Sequence, residues 1–528
     1  MPREYSYAVV SRGVCSLLTT KEMKNRKKLI CLVLSALFVL SVFAACRSGG
    51  PNGDNTKATG PVVTDDKGNT MNVPKQDHKG QTFTILSCQG ENIPTARYWT
   101  QFAVEEDSDD PLDSALFRRN AAVEEYLGIN IEFAQRLNSV VDVTAYRTGV
   151  IAGDDEFQVA ALIDRFALGL AMEGYVLSYS ELQDHYVNLN NPWWDQEINR
   201  ELTILNKQYL AAGAYQLDLF GAMTVLLFNK QIAEDKHLDN IYELVKNGTW
   251  TMEKMAGMMA VAKDDIDGDQ KMTEQDVWGA AVAGAQWSQS FFPVSGETII
   301  KKDSDDKPYL SAASSRAMLN IIEYQWNTIQ RPDYFYQMDG KDMPHTNSVY
   351  WDGMVYTSVI NMFSQGKALF TSAAPMYLIS DYLRRMEDNF GIVPYPTYKE
   401  VKAGTNYGAF MPVLITHIVP YNTSDPELAS AFLEYTAYYS YENTMPIFED
   451  TVLSIKGTRD DESGEMLAMM RKNRKVDLAR TYFLDTAQTG FNDIAQYGSF
   501  VWASGWRSHQ GAIDAQIKSA IDAFSLLK

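Results

Sequence analysis

Gln81-Thr82-Phe83-Thr84-Ile85-Leu86 alternates polar with apolar side chains, the period-two pattern of a strand with one buried face. Downstream, Asp113 to Leu127 places Leu116, Val123 and Leu127 on one helical face, and Gly128 follows as a stop suited to a left-handed end. Ile129 to Phe133 reads as the next strand. Phe157-Gln158-Val159-Ala160-Ala161-Leu162 is a third, apolar enough to be buried on both faces. Strands alternating with helices predict a parallel α/β sheet. A second region begins near Gln208-Tyr209-Leu210-Ala211, with Val225-Leu226-Leu227-Phe228 as its first buried strand. From Pro426 the chain turns helical, with Leu428, Ala431, Phe432 and Tyr435 at i, i+3, i+4 and i+7. About 450 folded residues exceed one ordinary core, so two lobes are expected. No internal repeat of roughly 20–50 residues is present.

The amino-terminal end carries an address. Lys24-Asn25-Arg26-Lys27-Lys28 is basic, and Leu29 to Phe43 is apolar apart from Ser35 and Ser41. Ala44-Ala45-Cys46 follows, and Arg47-Ser48-Gly49-Gly50 opens a polar stretch. Basic end, short apolar core and small residues before a cut are the parts of a secretory signal. The apolar run is shorter than the roughly 20 residues that span a bilayer. A cysteine directly after the small residues resembles the lipobox of bacterial lipoproteins. That resemblance implies cleavage before Cys46, a diacylglyceryl group on its sulfur and an acyl chain on its new amino end. Several acyl chains hold a protein on a membrane where one does not. The expected location is therefore the extracellular face of the cell membrane, anchored at Cys46. Residues 1–45 read as an upstream extension plus signal, with Met23 placed as a start codon would be. Residues 46–80, rich in Gly, Asn, Asp, Thr and Pro, read as a disordered tether.

Without residues 1–45 the chain has 40 Lys and Arg against 65 Asp and Glu, a net charge near −25. Such a surface repels nucleic acid and anionic headgroups, which argues against both as partners. The membrane is then reached through the lipid alone, and the protein is expected to act as a monomer. Cys88 is the one cysteine left after the signal and Cys46, so an intrachain disulfide and a cysteine zinc cluster are both ruled out. The 29 Tyr and 10 Trp supply a core and leave an excess suited to carbohydrate faces.

Several short stretches in order resemble the extracellular solute-binding proteins, family 1, that feed sugar-importing ABC transporters, of the maltodextrin-binding type. They are Ala161-Leu162-Ile163-Asp164-Arg165-Phe166, Tyr209 to Tyr215 ahead of Leu226 to Lys230, and Asn247-Gly248-Thr249-Trp250-Thr251. Phe363 to Phe370 and Phe390-Gly391-Ile392-Val393-Pro394-Tyr395-Pro396 complete the set. The resemblance covers about Gln81 to the carboxyl end. It implies a type II periplasmic-binding fold, two α/β lobes with a hinge and an interlobe ligand cleft. Lobe one would hold 81–212 and 367–410, and lobe two 213–366 and 411–528. It also implies a non-enzymatic function: capture of a carbohydrate, an oligosaccharide, for delivery to ABC permease subunits.

Sugars offer C–H faces to aromatic rings and hydroxyls to short polar side chains. Asp164 and Arg165 lie just past a strand's carboxyl end, where open α/β sheets bind ligands, and match a hydroxyl-binding Asp-Arg step of the maltodextrin-binding branch. Tyr215, Gln216 and Asp218 follow the crossing into the second region. Trp194, from the pair Trp193-Trp194, Trp287 with Gln286 and Gln289, Trp351 and Trp506 are the aromatic candidates.

Asp265 to Asp276 has EF-hand spacing: oxygens from Asp265, Asp267, Asp269, Thr273 and Asp276, with the Lys271 carbonyl at position seven. A structural Ca²⁺ is expected there. Gln270 stands where glycine normally makes the sharp turn. A secreted glycoside hydrolase, or a surface adhesin or sensor component on the same fold, are the alternatives. No G-x-S-x-G, H-E-x-x-H or phosphate-binding Gly loop occurs, and the six His are scattered.

Overall fold

The computed structural model describes residues 63–64, 70–88, 104, 108–137, 142–283, 286–312, 314–338, 354–378, 381–405, 407–453, 460–482 and 502–527. The stretch 24–46 with Cys46, and Trp351, lie outside the described residues; for Trp506 the backbone alone is described.

The elements that position the site come in this order. First are β1 (Gln81–Cys88), α1 (Pro111–Leu127), β2 (Ile129–Leu137), β3 (Val159–Ile163) and α2 (Asp164–Met172). Next are β4 (Val225–Asn229), α3 (Met252–Ala262), β5 (Trp278–Ala283), α4 (Gln286–Val294), β6 (Phe335–Met338), β7 (Ala368–Ala373) and β8 (Phe390–Val393). Last are β9 (Ala409–Phe410), β10 (Ile415–Ile418), α5 (Pro426–Tyr439), α6 (Asp461–Lys472), β11 (Arg474–Lys475), α7 (Leu478–Tyr482) and α8 (Trp502–Leu526).

Local chemistry sets the helix ends. Asp110 caps α1 by accepting from the Leu112 and Asp113 N–H, Pro111 opens the first turn, and Gly128 closes it at φ 68°. Thr251 caps α3 and Asp460 caps α6 through the N–H three residues on.

Two sheets result. One has the order β10-β3-β1-β2, the other β6-β5-β7-β4-β8. In the first, β1 runs parallel to β2 and β3, while β10 runs antiparallel to β3. In the second, β5 runs parallel to β6 and β7, while β4 runs against both β7 and β8. Each sheet thus has one reversed strand, and each reversed strand is the first its lobe receives after the chain crosses over. β3, β4 and β5 are buried at every position, which is why they read as continuous apolar runs. α5 closes the first lobe, with Phe432 stacked on Phe83 at 4.2 Å between ring centroids.

Two expectations need correction. Residues 367–410 were assigned to lobe one and 411–528 to lobe two. Instead β7 and β8 pair with β4 in the second sheet, and β10 pairs with β3 in the first, with α5 packed beside it. An apolar run announces a strand but not its partner, so sheet membership was not in the pattern. The tether is also shorter than 46–80. Met71 and Val73 are buried, and the Gln76 and His78 N–H donate to the Tyr126 and Leu127 carbonyls at the end of α1. Gly128 permits this approach, because a Cβ there would lie 2.7 Å from the Asp77 Cα. Among the described residues no helix is long and apolar enough to cross a membrane.

Candidate ligand cleft and metal loop

Asp164 ends the apolar run of β3 and begins α2. Its N–H donates to the Leu414 carbonyl, and its Oδ2 accepts from Thr481 Oγ1 at 2.9 Å. Burial raises its carboxyl above the ordinary value, against the lowering effect of Thr481 and of the Arg165 and Arg480 charges. Arg165 is half-buried, with its guanidinium 5.0 Å from the centre of the Phe166 ring. Asp164 thus stands at a strand's carboxyl end as expected, and α7 is the element that meets it there.

Tyr215, Gln216 and Asp218 stand where the chain leaves lobe one, and they stitch the two crossing segments together. Gln216 Nε2 donates to the Ile415 carbonyl at 2.6 Å and to the Ala211 carbonyl at 3.2 Å; its Oε1 accepts from the Gly213 N–H at 2.6 Å. Asp218 Oδ2 accepts from the Ile415 N–H at 2.7 Å. Farther along, Thr224 N–H donates to the Phe410 carbonyl at 2.8 Å. Tyr215 is wholly buried, edge-on to Trp194 and to His417, and burial pushes its hydroxyl well above its usual value. The same burial pushes His417 down to about 3 and keeps it neutral. The geometry gives Gln216 and Asp218 work inside the hinge rather than at a surface.

Trp194 is a correction of a similar kind. Its Nε1 donates to Glu434 Oε2 at 2.8 Å, and it is 1% exposed. Glu434, on α5, also accepts from Trp193 Nε1 at 2.9 Å, Asn191 Nδ2 at 2.7 Å and the Asn188 N–H at 3.0 Å. Burial raises its carboxyl, opposed by these four donors. The Trp pair is therefore the clamp that fixes residues 188–194 to α5. Trp287 is equally buried, in the lobe-two core against Phe291, Phe335 and Tyr395.

Two residues after Trp287, Gln289 lines a small cavity with Ile299, Phe410, Asp477 and Arg480. Asp477 is buried beside β11 and accepts from the Ile299 N–H at 2.6 Å and the Ala479 N–H at 2.9 Å. Burial pushes its carboxyl up to about 6. The cavity wall leads directly to Thr481 and hence to Asp164. The sequence singles out Gln289 and Asp164 but not Asp477, Arg480 or Thr481. A carboxylate set between Val476 and Leu478 was the signal available.

The profile of the bacterial extracellular solute-binding proteins matches residues 109–437. The chain belongs to this family. Solved structures agree on the fold. The ABC substrate-binding protein of Listeria monocytogenes in complex with cycloalternan is 11% identical, aligns over 83% of this chain and 99% of its own, and has a TM-score of 0.51. UgpB of Mycobacterium tuberculosis in complex with glycerophosphocholine is 13% identical over 78% of this chain and 98% of its own, with a TM-score of 0.51. A sugar transporter of Rhizobium etli in an open conformation is 12% identical over 85% of this chain and all of its own, with the same score. The compared curated protein sequences gave no match. The fold is accordingly the two-lobe, type II solute-binding architecture.

This solute-binding protein carries its acidic loop on lobe two, between α3 and β5. The Asp264 and Val277 backbones pair to close it. Asp265, Asp267 and Asp269 bring one carboxylate oxygen each within 4.8 Å of one another. Asp265 accepts from the Gly268 N–H at 2.8 Å and the Gln270 N–H at 2.7 Å. Gln270 adopts φ 67°, the left-handed turn that glycine would make without strain. Asp276 stands apart from the trio; its oxygens accept from the Ile266 N–H at 3.0 Å and the Thr273 N–H at 2.6 Å, which hold its carboxyl below the usual range. Asp265, Asp267 and Asp269 therefore offer three hard carboxylate oxygens close together, and Asp276 is not part of that group.

Proposed function

We propose that this protein, lipid-anchored at Cys46 on the outside of the cell, captures a neutral carbohydrate between its lobes and passes it to the permease of an ABC importer. The observation that carries this reading is the lobe junction itself. Asp164 at a lobe-one strand end, Thr481 and Arg480 on α7, and Gln289 at the start of a lobe-two helix gather short polar side chains there. Hydroxyl-rich solutes are recognised by such groups. The similar Listeria protein was solved with cycloalternan, and the Rhizobium one is a sugar transporter, which supports a sugar and, in the first case, an oligosaccharide. Capture and release need no covalent chemistry, so no catalytic residue is assigned. A bound solute favours the closed state through contacts that only the closed state makes.

A thermal-shift screen against maltotriose, cellotriose, mannotriose and their monosaccharides tests the reading. A ligand that binds the folded chain at 100 times its Kd adds about 2.7 kcal/mol of stability, so at least one sugar should raise the unfolding temperature by several degrees. No response to any of them would count against a carbohydrate. The anchor has its own test: Cys46→Ser should move the protein from the membrane fraction to the medium.

The acidic loop is proposed to take one structural Ca²⁺ through Asp265, Asp267, Asp269, the Lys271 carbonyl, Thr273 and Asp276. Millimolar Ca²⁺ should raise the unfolding temperature, EGTA should reverse the rise, and Asp265→Asn should abolish the response. An equal response in Asp265→Asn would remove the site.

A further inference from the structure

The cavity beside the lobe junction holds a polar atom that the chain leaves unfilled. Gln289 is 6% exposed, and its Oε1 meets no hydrogen-bond donor among the described residues. A buried amide oxygen without a donor is costly, so its retention at this place asks for a cause. The rest of the lining is explicit. The Arg480 guanidinium also lines the space, and it carries N–H donors only. Asp477 faces the same space, but its oxygens already take the Ile299, Ile300 and Ala479 N–H groups. Ile299 and Phe410 supply apolar wall. The partly open space takes about one water-sized group, too little for a sugar ring and enough for one hydroxyl.

A group that settles there must donate to Gln289 and accept from Arg480. A hydroxyl does both. An ionised carboxylate or a phosphodiester has no proton to donate, and an ammonium cannot accept. We propose that Gln289 is a specificity-determining residue that accepts a hydrogen bond from one hydroxyl of a neutral polyhydroxylated solute, with Arg480 donating to the same oxygen. This rests on the carbohydrate reading above and narrows it to a solute that ends in a free hydroxyl at this point. Because Thr481, next to Arg480, bonds Asp164 of lobe one, the solute is gripped beside the place where the lobes touch. A site that pairs with a hydroxyl also rejects the analogue lacking it, since Gln289 would then stay buried and unfilled.

The test compares the whole protein with Gln289→Leu and Gln289→Glu. Each is melted without solute and titrated calorimetrically with maltotriose, cellotriose and mannotriose. The leucine variant should melt within about 2 °C of the natural protein or above it, because the Gln289 Oε1 accepts no internal hydrogen bond that leucine would remove. Its affinity for the sugar that the natural protein binds should fall roughly tenfold or more, and Gln289→Glu, which keeps an acceptor oxygen, should recover most of it. Equal binding by the natural protein and Gln289→Leu would overturn this inference alone and leave the cavity to a water. A ligand-free melting temperature lowered by more than about 5 °C would also overturn it, by showing that the amide serves the fold. Silence of the natural protein toward all three sugars would overturn the carbohydrate reading, and this inference with it.

Discussion

Glu434→Ala should lower the unfolding free energy by about 4 kcal/mol, the largest loss expected from any single side chain of lobe one. Four donors converge on this carboxylate, two of them indole N–H groups of adjacent tryptophans; three are buried and the Asn188 N–H is half-buried. Removing the acceptor leaves them in a space from which water is excluded, and each stranded donor costs about 1–3 kcal/mol before relaxation. Relaxation lowers the sum, because residues 188–194 form a surface-connected loop that can shift toward solvent. Glu434→Gln keeps one acceptor oxygen but turns an amide NH₂ toward an indole N–H, so it should lose about half as much. Urea denaturation followed by tryptophan fluorescence reads both the stability and the Trp193–Trp194 environment. A loss below about 1 kcal/mol for the alanine variant would show that the loop is not held by this carboxylate.

Gln216→Leu should cost roughly 3 kcal/mol and weaken solute binding as well. Leucine fills a similar volume, so the loss is polar rather than steric. It strands the Ile415 and Ala211 carbonyls and the Gly213 N–H. Ile415 is the point where β10 re-enters lobe one, and Asp218 holds its N–H from the same crossing segment. The two crossing segments are thus joined side chain to backbone where the hinge must bend, and loosening them widens the range of lobe orientations. Binding then pays more conformational entropy to reach the closed state. A lower denaturation midpoint together with an increased radius of gyration in X-ray scattering is the expected pair of results. A lower midpoint with unchanged scattering would confine Gln216 to local stability.

Much of this fold was legible before any coordinates. β3 and β4 are apolar at nearly every position because both faces are covered, and such runs are visible in sequence. Gly128 announces the end of α1 through chemistry that is local to a few residues. Sheet membership was not legible. β7 and β10 are both short and buried, and what distinguishes them is which strand each meets more than 100 residues away in sequence. Met71 and Val73 were hidden in a polar stretch for the same reason: two apolar residues say nothing of the α1 terminus they cover.

The candidate site divides along a similar line. The Asp164 position followed from its strand, and the acidic loop from its spacing, including the left-handed turn forced on Gln270. Two of the aromatic candidates, Trp194 and Trp287, did not follow. Trp194 and Trp287 are large apolar surfaces with one polar edge, and such residues serve a core as well as they serve a sugar; packing decided for the core. Asp477, Arg480, Thr481 and Glu434 carry no motif. Their roles come from tertiary neighbours, though a lone carboxylate on an apolar helix face, as in Phe432-Leu433-Glu434-Tyr435, marks a buried acceptor once its helix is known.

Calorimetric titration of the purified protein with mono- and oligosaccharides, with the sugar recovered and identified afterwards, tests capture without chemistry most directly. Saturable binding of one class of sugar at micromolar or lower Kd, with the sugar returned unchanged, is the predicted result. Sugar consumed during the titration would make the protein a hydrolase, and heats indistinguishable from dilution across every sugar would contradict carbohydrate capture altogether.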